Sequence, residues 1–250
     1  MSDWITVTIT QVRGSSPRDA GTSMRVFADC QLGTIGGGAL EWEATHLARA
    51  MLKDGQTQQS RRISLGPDIG QCCGGQVTLE FSANTQPQTT QKRPLWIWGA
   101  GHTGRAIAQV MAPFEDREIA LIDVAADRFP TDLPMTVSQV VATNPLDLVK
   151  HANPLADHII LTYSHDLDLA LCDGLLRHGF TSCGLIGSAT KWARFRKRLA
   201  QMGHAHDEID AITCPIGDPS LGKHPQAIAL GVAAAMLRTT SAPIPKVKTA

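Results

Sequence analysis

Apolar positions recur along the chain in two regimes. In the first 81 residues Ile5, Val7 and Ile9 alternate with threonine, the period of a half-buried strand. Ser23–Ala28 (SMRVFA) and Gln76–Phe81 (QVTLEF) repeat that alternation. Between them Leu40, Ala44, Leu47 and Met51 return at the spacing of one helix face. That spacing predicts an amphipathic helix over 38–52. From residue 95 onward, short apolar runs alternate with helical patterns. Leu95–Trp98, Ile119–Ile122, Val137–Val141, His158–Leu161 and Cys183–Ile186 read as strands. Helices are expected from about 103 and near 166–178, 188–202 and 225–238.

These patterns divide the chain. Residues 82–94 (SANTQPQTTQKRP) hold no large apolar side chain and read as a linker. Residues 1–81 form a smaller mixed α/β domain. Residues 95–238 alternate strand and helix, which predicts a Rossmann-like, doubly wound parallel sheet. Residues 239–250, polar with two prolines, read as a loose tail. The fold class is α/β.

Composition then excludes some partners. The chain has 250 residues, 43% apolar and 18% charged, the balance of a globular protein. Lysine plus arginine is 23 and aspartate plus glutamate is 23. A net charge of zero argues against bulk nucleic-acid or anionic-membrane binding. The start, MSDWITVTIT, lacks a basic segment followed by an apolar core, and no run of 18 apolar residues occurs. The expectation is a cytoplasmic protein with reduced thiols. Its six cysteines, at 30, 72, 73, 172, 183 and 214, include no Cys-x-x-Cys pair of the zinc type.

Glycine clusters carry the candidate chemistry. Gly99-Ala-Gly101-His-Thr-Gly104 follows a strand and opens a helix, the context of a dinucleotide turn. Asp123 ends the next strand nineteen residues later, where an acid can bond a ribose hydroxyl. The same turn also serves as plain architecture, so NAD(P) or another nucleotide is one reading of it. Gly36, Gly37 and Gly38 precede the first helix. They either cradle an anion such as a phosphate or an oxo group, or only meet the backbone needs of a tight turn.

Gln71, Cys72 and Cys73 sit in a glycine-rich loop (LGPDIGQCCGG). Thiolates there suit transition-metal or sulfur chemistry, although free cysteine also packs as a small hydrophobe. Cys30, Cys172, Cys183 and Cys214 are read as packing residues. After Gly184-Leu-Ile-Gly187, Ser188 is an N-cap. Lys191, Arg194, Arg196, Lys197 and Arg198 read as a basic helix face, either solvated or a contact for phosphate or a partner protein. His204 and His206 read as surface-loop residues, and Asp166 and Asp168 as acidic residues at a helix start.

Together the motifs resemble the xanthine dehydrogenase accessory protein family, of XdhC type and related to CoxI-type proteins. The stretches that carry the resemblance are SSPRDAGTSMRV, GTIGGGALEWEA, LGPDIGQCCGGQVTLEF, WGAGHTGRA, LTYSHDLDLAL, GLIGSATKWARFRKRL and CPIGDPSLGKHPQAIALGVAAAML, in order from about residue 13 to 238. One departure is that Ala189 and Thr190 precede Lys191, where many relatives carry basic residues directly after the GLIGS stretch.

The resemblance implies a molybdenum cofactor chaperone and not an enzyme. It would support sulfuration of the cofactor with a cysteine desulfurase and insert it into apo-xanthine dehydrogenase, with self-association possible. It also implies cofactor contact at Gln71, Cys72 and Cys73, bordered by Gly36–Gly38, with Cys72 or Cys73 meeting molybdenum. The alternative from another class is an NAD(P)-dependent oxidoreductase built on Gly99, Gly101 and Gly104. A redox sensor using a reversible Cys72–Cys73 disulfide is a third reading.

Overall fold

The computed structural model describes residues 3–66, 74–86, 92–114 and 116–240. The chain forms two compact units that divide between Thr90 and Gln91.

The first unit is an antiparallel sheet of order β3-β2-β1-β5-β4. Its strands are β1 (Ile5–Arg13), β2 (Ser23–Val26), β3 (Gln31–Gly33), β4 (Gln58–Ser64) and β5 (Gln76–Ala83), with helix α1 (Gly38–Asp54) between β3 and β4. Val7 pairs with Met24 on one side and Phe81 on the other. One face of the sheet, with Ile5, Val7, Ile9, Met24, Leu79 and Phe81, is buried together with Leu40, Ala44, Ala48 and Met51 of α1. The register slips between Ile9 and Gln11. The extra residue reverses the alternation, so Val12 and not Gln11 packs against the core. The helix outruns the expected 38–52 by two residues and stops where Gly55 turns left-handed (φ 69°).

The second unit is a six-stranded sheet of order β11-β10-β9-β6-β7-β8, and every pairing in it is parallel. Its strands are β6 (Arg93–Trp98), β7 (Arg117–Asp123), β8 (Val137–Val141), β9 (Asp157–Ile160), β10 (Ser182–Leu185) and β11 (Ile212–Thr213). The helices are α2 (His102–Met111), α3 (Leu146–Val149), α4 (His165–His178), α5 (Ala189–Gln201), α6 (His206–Ile209) and α7 (Pro225–Thr240). Leu95 and Ile97 of β6 pack with α2 and α7, while Trp98 packs with α4 and α5. This is the doubly wound sheet expected, with its strand order reversing between β6 and β9.

Strand also runs into both ends of the stretch assigned to the linker. Ser82 and Ala83 belong to β5, and Arg93 and Pro94 to β6. Pro94 is tolerated there because the β6–β9 ladder begins only at Leu95. The final helix reaches Thr240, two residues into the expected tail.

At the starts of the strands Asp157 gathers a buried network. Its carboxylate accepts from Arg93 at 3.0 Å, from the Ser182 hydroxyl at 2.6 Å, and from the buried Arg117. The first residues of β6, β7, β9 and β10 are thereby tied to one point.

Candidate functional site

At the opposite end of the second sheet the Gly99–Gly104 turn follows β6. Gly99 sits at φ 125°, and a Cβ there would strike the Leu161 carbonyl. A Cβ on Gly104 would strike the Gly99 carbonyl, so α2 lies hard against the strand it follows. Nothing crowds Gly101. Asp123 lies beside the turn, at the end of β7. One carboxylate oxygen accepts from the Ala100 N–H at 2.6 Å and the other from the Val124 N–H at 2.7 Å. Arg105 holds the far side through the Ala100 carbonyl at 2.7 Å.

The facing wall comes from β9, α4 and α5. Asp168, 1% exposed, accepts from the Thr162 N–H at 2.8 Å and the Thr162 hydroxyl at 2.7 Å on one oxygen. Its other oxygen meets the Lys191 ammonium at 2.6 Å. Lys191 also donates to the Ile186 carbonyl at 3.1 Å, its stem lying against Gly187. Between these walls lies a cavity of about 250 Å³, bordered by Gly101, Thr103, Thr162, His165, Asp168 and Lys191. It stands at the point where the strand order reverses, the place where open α/β sheets bind ligands. Gly99 and Asp123 border a narrower slit beside it.

Two expectations are corrected here. Lys191 is not part of a solvated basic face: it turns inward onto Asp168. The sequence signal was the glycine four residues earlier, which leaves room for the stem. On the same helix Arg196 pairs with Asp210, and Arg198 meets Asp166 at 3.2 Å. His204 is not a surface-loop residue. It is 8% exposed, and its Nε2 lies 2.6 Å from Asp173.

In the first unit Gly36, Gly37 and Gly38 all take positive φ, at 120°, 72° and 63°. The Glu41 carboxylate faces their turn. It accepts from the N–H groups of Ile35 at 2.9 Å and Gly37 at 3.1 Å, from Gln31 at 2.8 Å, and from the Thr34 hydroxyl. Burial pushes the Glu41 carboxyl up, but the hydrogen bonds outweigh it and hold it below its ordinary value. The backbone seat offered to an outside anion is thus occupied by the chain's own carboxylate.

Gln71, Cys72 and Cys73 lie outside the described residues. The base of their loop is described. Leu65 and Gly74–Gly75 exchange backbone hydrogen bonds of 2.7 and 2.8 Å. A Cβ on Gly75 would run into the Ser15 carbonyl, and a Cβ on Gly36 would meet Pro17 at 2.7 Å. Residues 15–17 therefore touch both the glycine turn and the base of the cysteine loop.

Of the other cysteines, Cys172 and Cys183 are buried and Cys214 partly so, whereas Cys30 is exposed, against the expectation that it packs. Burial pushes the Cys172 and Cys183 thiols well up and Cys214 to about 11, Lys191 pulling the latter the other way. Among the described residues no group of three His, Cys, Asp or Glu side chains is placed to hold a metal ion. None of the described helices is long and apolar enough to cross a membrane.

Residues 95–236 match the XdhC Rossmann domain, and residues 2–64 match the XdhC and CoxI family. The chain belongs to the XdhC family. This XdhC-family chain is 29% identical over 236 residues to the uncharacterized protein YqeB of Escherichia coli (strain K12). That match takes in 92% of the chain but only 42% of YqeB. A crystal structure described as a xanthine dehydrogenase from Bacillus halodurans superposes with a TM-score of 0.81 over 97% of this chain and 94% of that one. At 17% identity it speaks for the XdhC fold alone.

Proposed function

We propose that this XdhC-family protein is an accessory factor in xanthine dehydrogenase maturation. In this reading it binds the molybdenum cofactor, supports its sulfuration by a cysteine desulfurase and delivers it to the apo-dehydrogenase. The observation that carries the site is the contact of residues 15–17 with both the Gly36 turn and Gly75 at the base of the cysteine loop. It gathers three separate stretches of the first unit at one place.

The residues present fit such a group. Cys72 and Cys73 offer the soft thiolate donors that molybdenum accepts, and Gln71 offers an amide to the edge of the pterin. Exposed Arg13 and Arg18 flank residues 15–17 and supply cations for a phosphate. Since Glu41 holds the Ile35 and Gly37 N–H groups, Gly36–Gly38 shape the border of the site and the arginines carry the anion. When bound, the group supplies the molybdenum centre of the recipient enzyme. The chain's own residues bind it and give it up to a partner with more contacts. Arg194 and Lys197, exposed on α5, offer a rim for such a partner.

The test is metal and pterin analysis of the full chain purified from cells that make the cofactor. Molybdenum and a fluorescent oxidised pterin should copurify, and the Cys72→Ala/Cys73→Ala variant should lose most of both. Absence of both from the wild-type protein overturns the reading, and unchanged molybdenum in the double variant removes the cysteines from it.

A further inference from the structure

Trp42 is the only exposed tryptophan of the chain's five, at 71%. It stands on α1 one turn after Gly38, and His46 follows one turn later. The His46 imidazole stacks on the indole, with ring centres 5.6 Å apart and planes 10° from parallel. That separation is close to the helix pitch of about 5.4 Å, so the two rings stand one above the other along the helix axis. Packing of the core does not require this indole. The buried side of α1 is Leu40, Ala44, Thr45, Ala48 and Met51.

Side chains on a helix lean toward its N-terminus. His46 therefore backs the C-terminal face of the indole, and the other face looks toward the Gly36–Gly38 turn. One turn before Trp42 the chain places Gly38, which has no side chain to lay on that face. Gly37 is open as well, with nothing within 4 Å of where its Cβ would stand. Exposed Arg18 reaches the same turn, its Cγ lying 3.3 Å from the Cβ position of Gly36. A held aromatic face, an uncovered approach to it and a cation thus meet at one turn.

We infer that Trp42, backed by His46, is the stacking platform for the pterin ring of the cofactor, which lies on the indole face that looks over Gly38. This rests on the cofactor-chaperone reading and adds to it a binding residue outside the cysteine loop. A fused, electron-poor heteroaromatic ring is the natural partner of an electron-rich indole, and stacking of this kind contributes about 1–3 kcal/mol. His46 holds the indole in place beforehand, so less side-chain freedom is lost on binding. Arg18 meets the phosphate carried by the same molecule.

Full-length protein labelled with 5-fluorotryptophan gives one fluorine signal for each tryptophan, and the signal lost in Trp42→Leu belongs to Trp42. The probe is a metal-free pterin monophosphate. It should move the Trp42 signal to saturation and leave that of the buried Trp98 in place. Calorimetry should show Trp42→Leu weakening the probe by roughly fivefold or more, with Trp42→Phe within about twofold of the wild type. Arg18→Ala should weaken the pterin monophosphate but not the same pterin without its phosphate.

A Trp42 signal unmoved by the probe at millimolar concentration overturns the proposal. So do undiminished affinity in Trp42→Leu, an equal response to inorganic phosphate alone, and adenosine monophosphate binding as tightly as the probe. Metal and pterin analysis separates this failure from that of the underlying reading. Wild-type protein that carries neither molybdenum nor pterin overturns the chaperone reading. Wild-type protein that carries both, with Trp42→Leu retaining them in full, overturns the role of Trp42 alone. Because Trp42 is exposed, its variants should fold, and an unchanged thermal transition checks this.

Discussion

The Glu41 carboxylate lies 3.1 Å from the N–H of Gly37, four residues before it in the chain, and holds the turn that launches its own helix. A glycine run that reads as a seat for a foreign anion is closed by an internal one. These contacts brace the turn in which Gly36, Gly37 and Gly38 all take positive φ.

Replacing Glu41 with glutamine removes the charge but keeps the shape. The Glu41→Gln variant should lose about 1 kcal/mol at neutral pH, the scale of a hydrogen bond to a charged group on a partly exposed turn. Because the folded-state pKa is depressed, the stabilisation is present above the unfolded value of 4.5. It disappears as pH falls through the lower folded value. Urea unfolding of wild type and variant at several pH values checks both magnitude and direction. A difference that grows on acidification would refute the assignment.

His158 makes the second unit acid-sensitive. It is fully buried, its Nδ1 accepts from the Trp98 indole at 3.2 Å, and Trp96 and Phe180 pack around it. Burial, with a smaller contribution from His178, pushes its imidazole down to about 3. The unfolded chain takes up a proton near pH 6.5 that the folded chain refuses, so stability falls as pH drops from 6.5 toward 3. Between pH 7 and pH 5 this one group should cost about 2 kcal/mol. His158→Phe, although it leaves the Trp98 N–H without an acceptor, should flatten that slope in denaturant unfolding. An identical slope in the variant would exclude His158 as its source.

Lys191 and Arg194 are three residues apart on one helix and should respond in opposite ways to mutation. Lys191→Met strands the buried Asp168 carboxylate, which should cost about 3–5 kcal/mol. Arg194→Glu, on the exposed side, should leave stability within about 0.5 kcal/mol. It should instead slow association with a partner at low salt. Thermal unfolding separates the two, and equal losses would refute the inward placement of Lys191.

Much of this architecture was legible in the sequence because its signals are local. The alternation of Ile5, Val7 and Ile9, the helical return of Leu40, Ala44 and Met51, and the strand–turn–helix around Gly99 each fit within a dozen residues. What escaped depends on pairing at a distance. β4, reading QQSRRIS, buries only Ile63, since it is an edge strand whose charges guard against further pairing. β11 has two residues and α3 and α6 four each, too short to show a period. Arg128 and Tyr163 are 35 residues apart and meet only because the sheet reverses order between their strands. The inward turn of Lys191 required Asp168 to be waiting under it. Gln71, Cys72 and Cys73, the residues the motifs singled out most sharply, lie outside the described residues.

Asp157 carries one more consequence. The side chains tied to it come from the first residues of β6, β7, β9 and β10, whereas Gly99, Asp123, Thr162 and Ile186 lie just at or beyond the last residues of those same strands. Anchorage and recognition thus occupy opposite ends of one sheet and share no side chain. Exposed residues of the cleft, such as Tyr163 and His165, can be exchanged while the anchor keeps the strands in register, whereas Gly99, Gly104 and the Asp168–Lys191 pair are fixed by the backbone they touch.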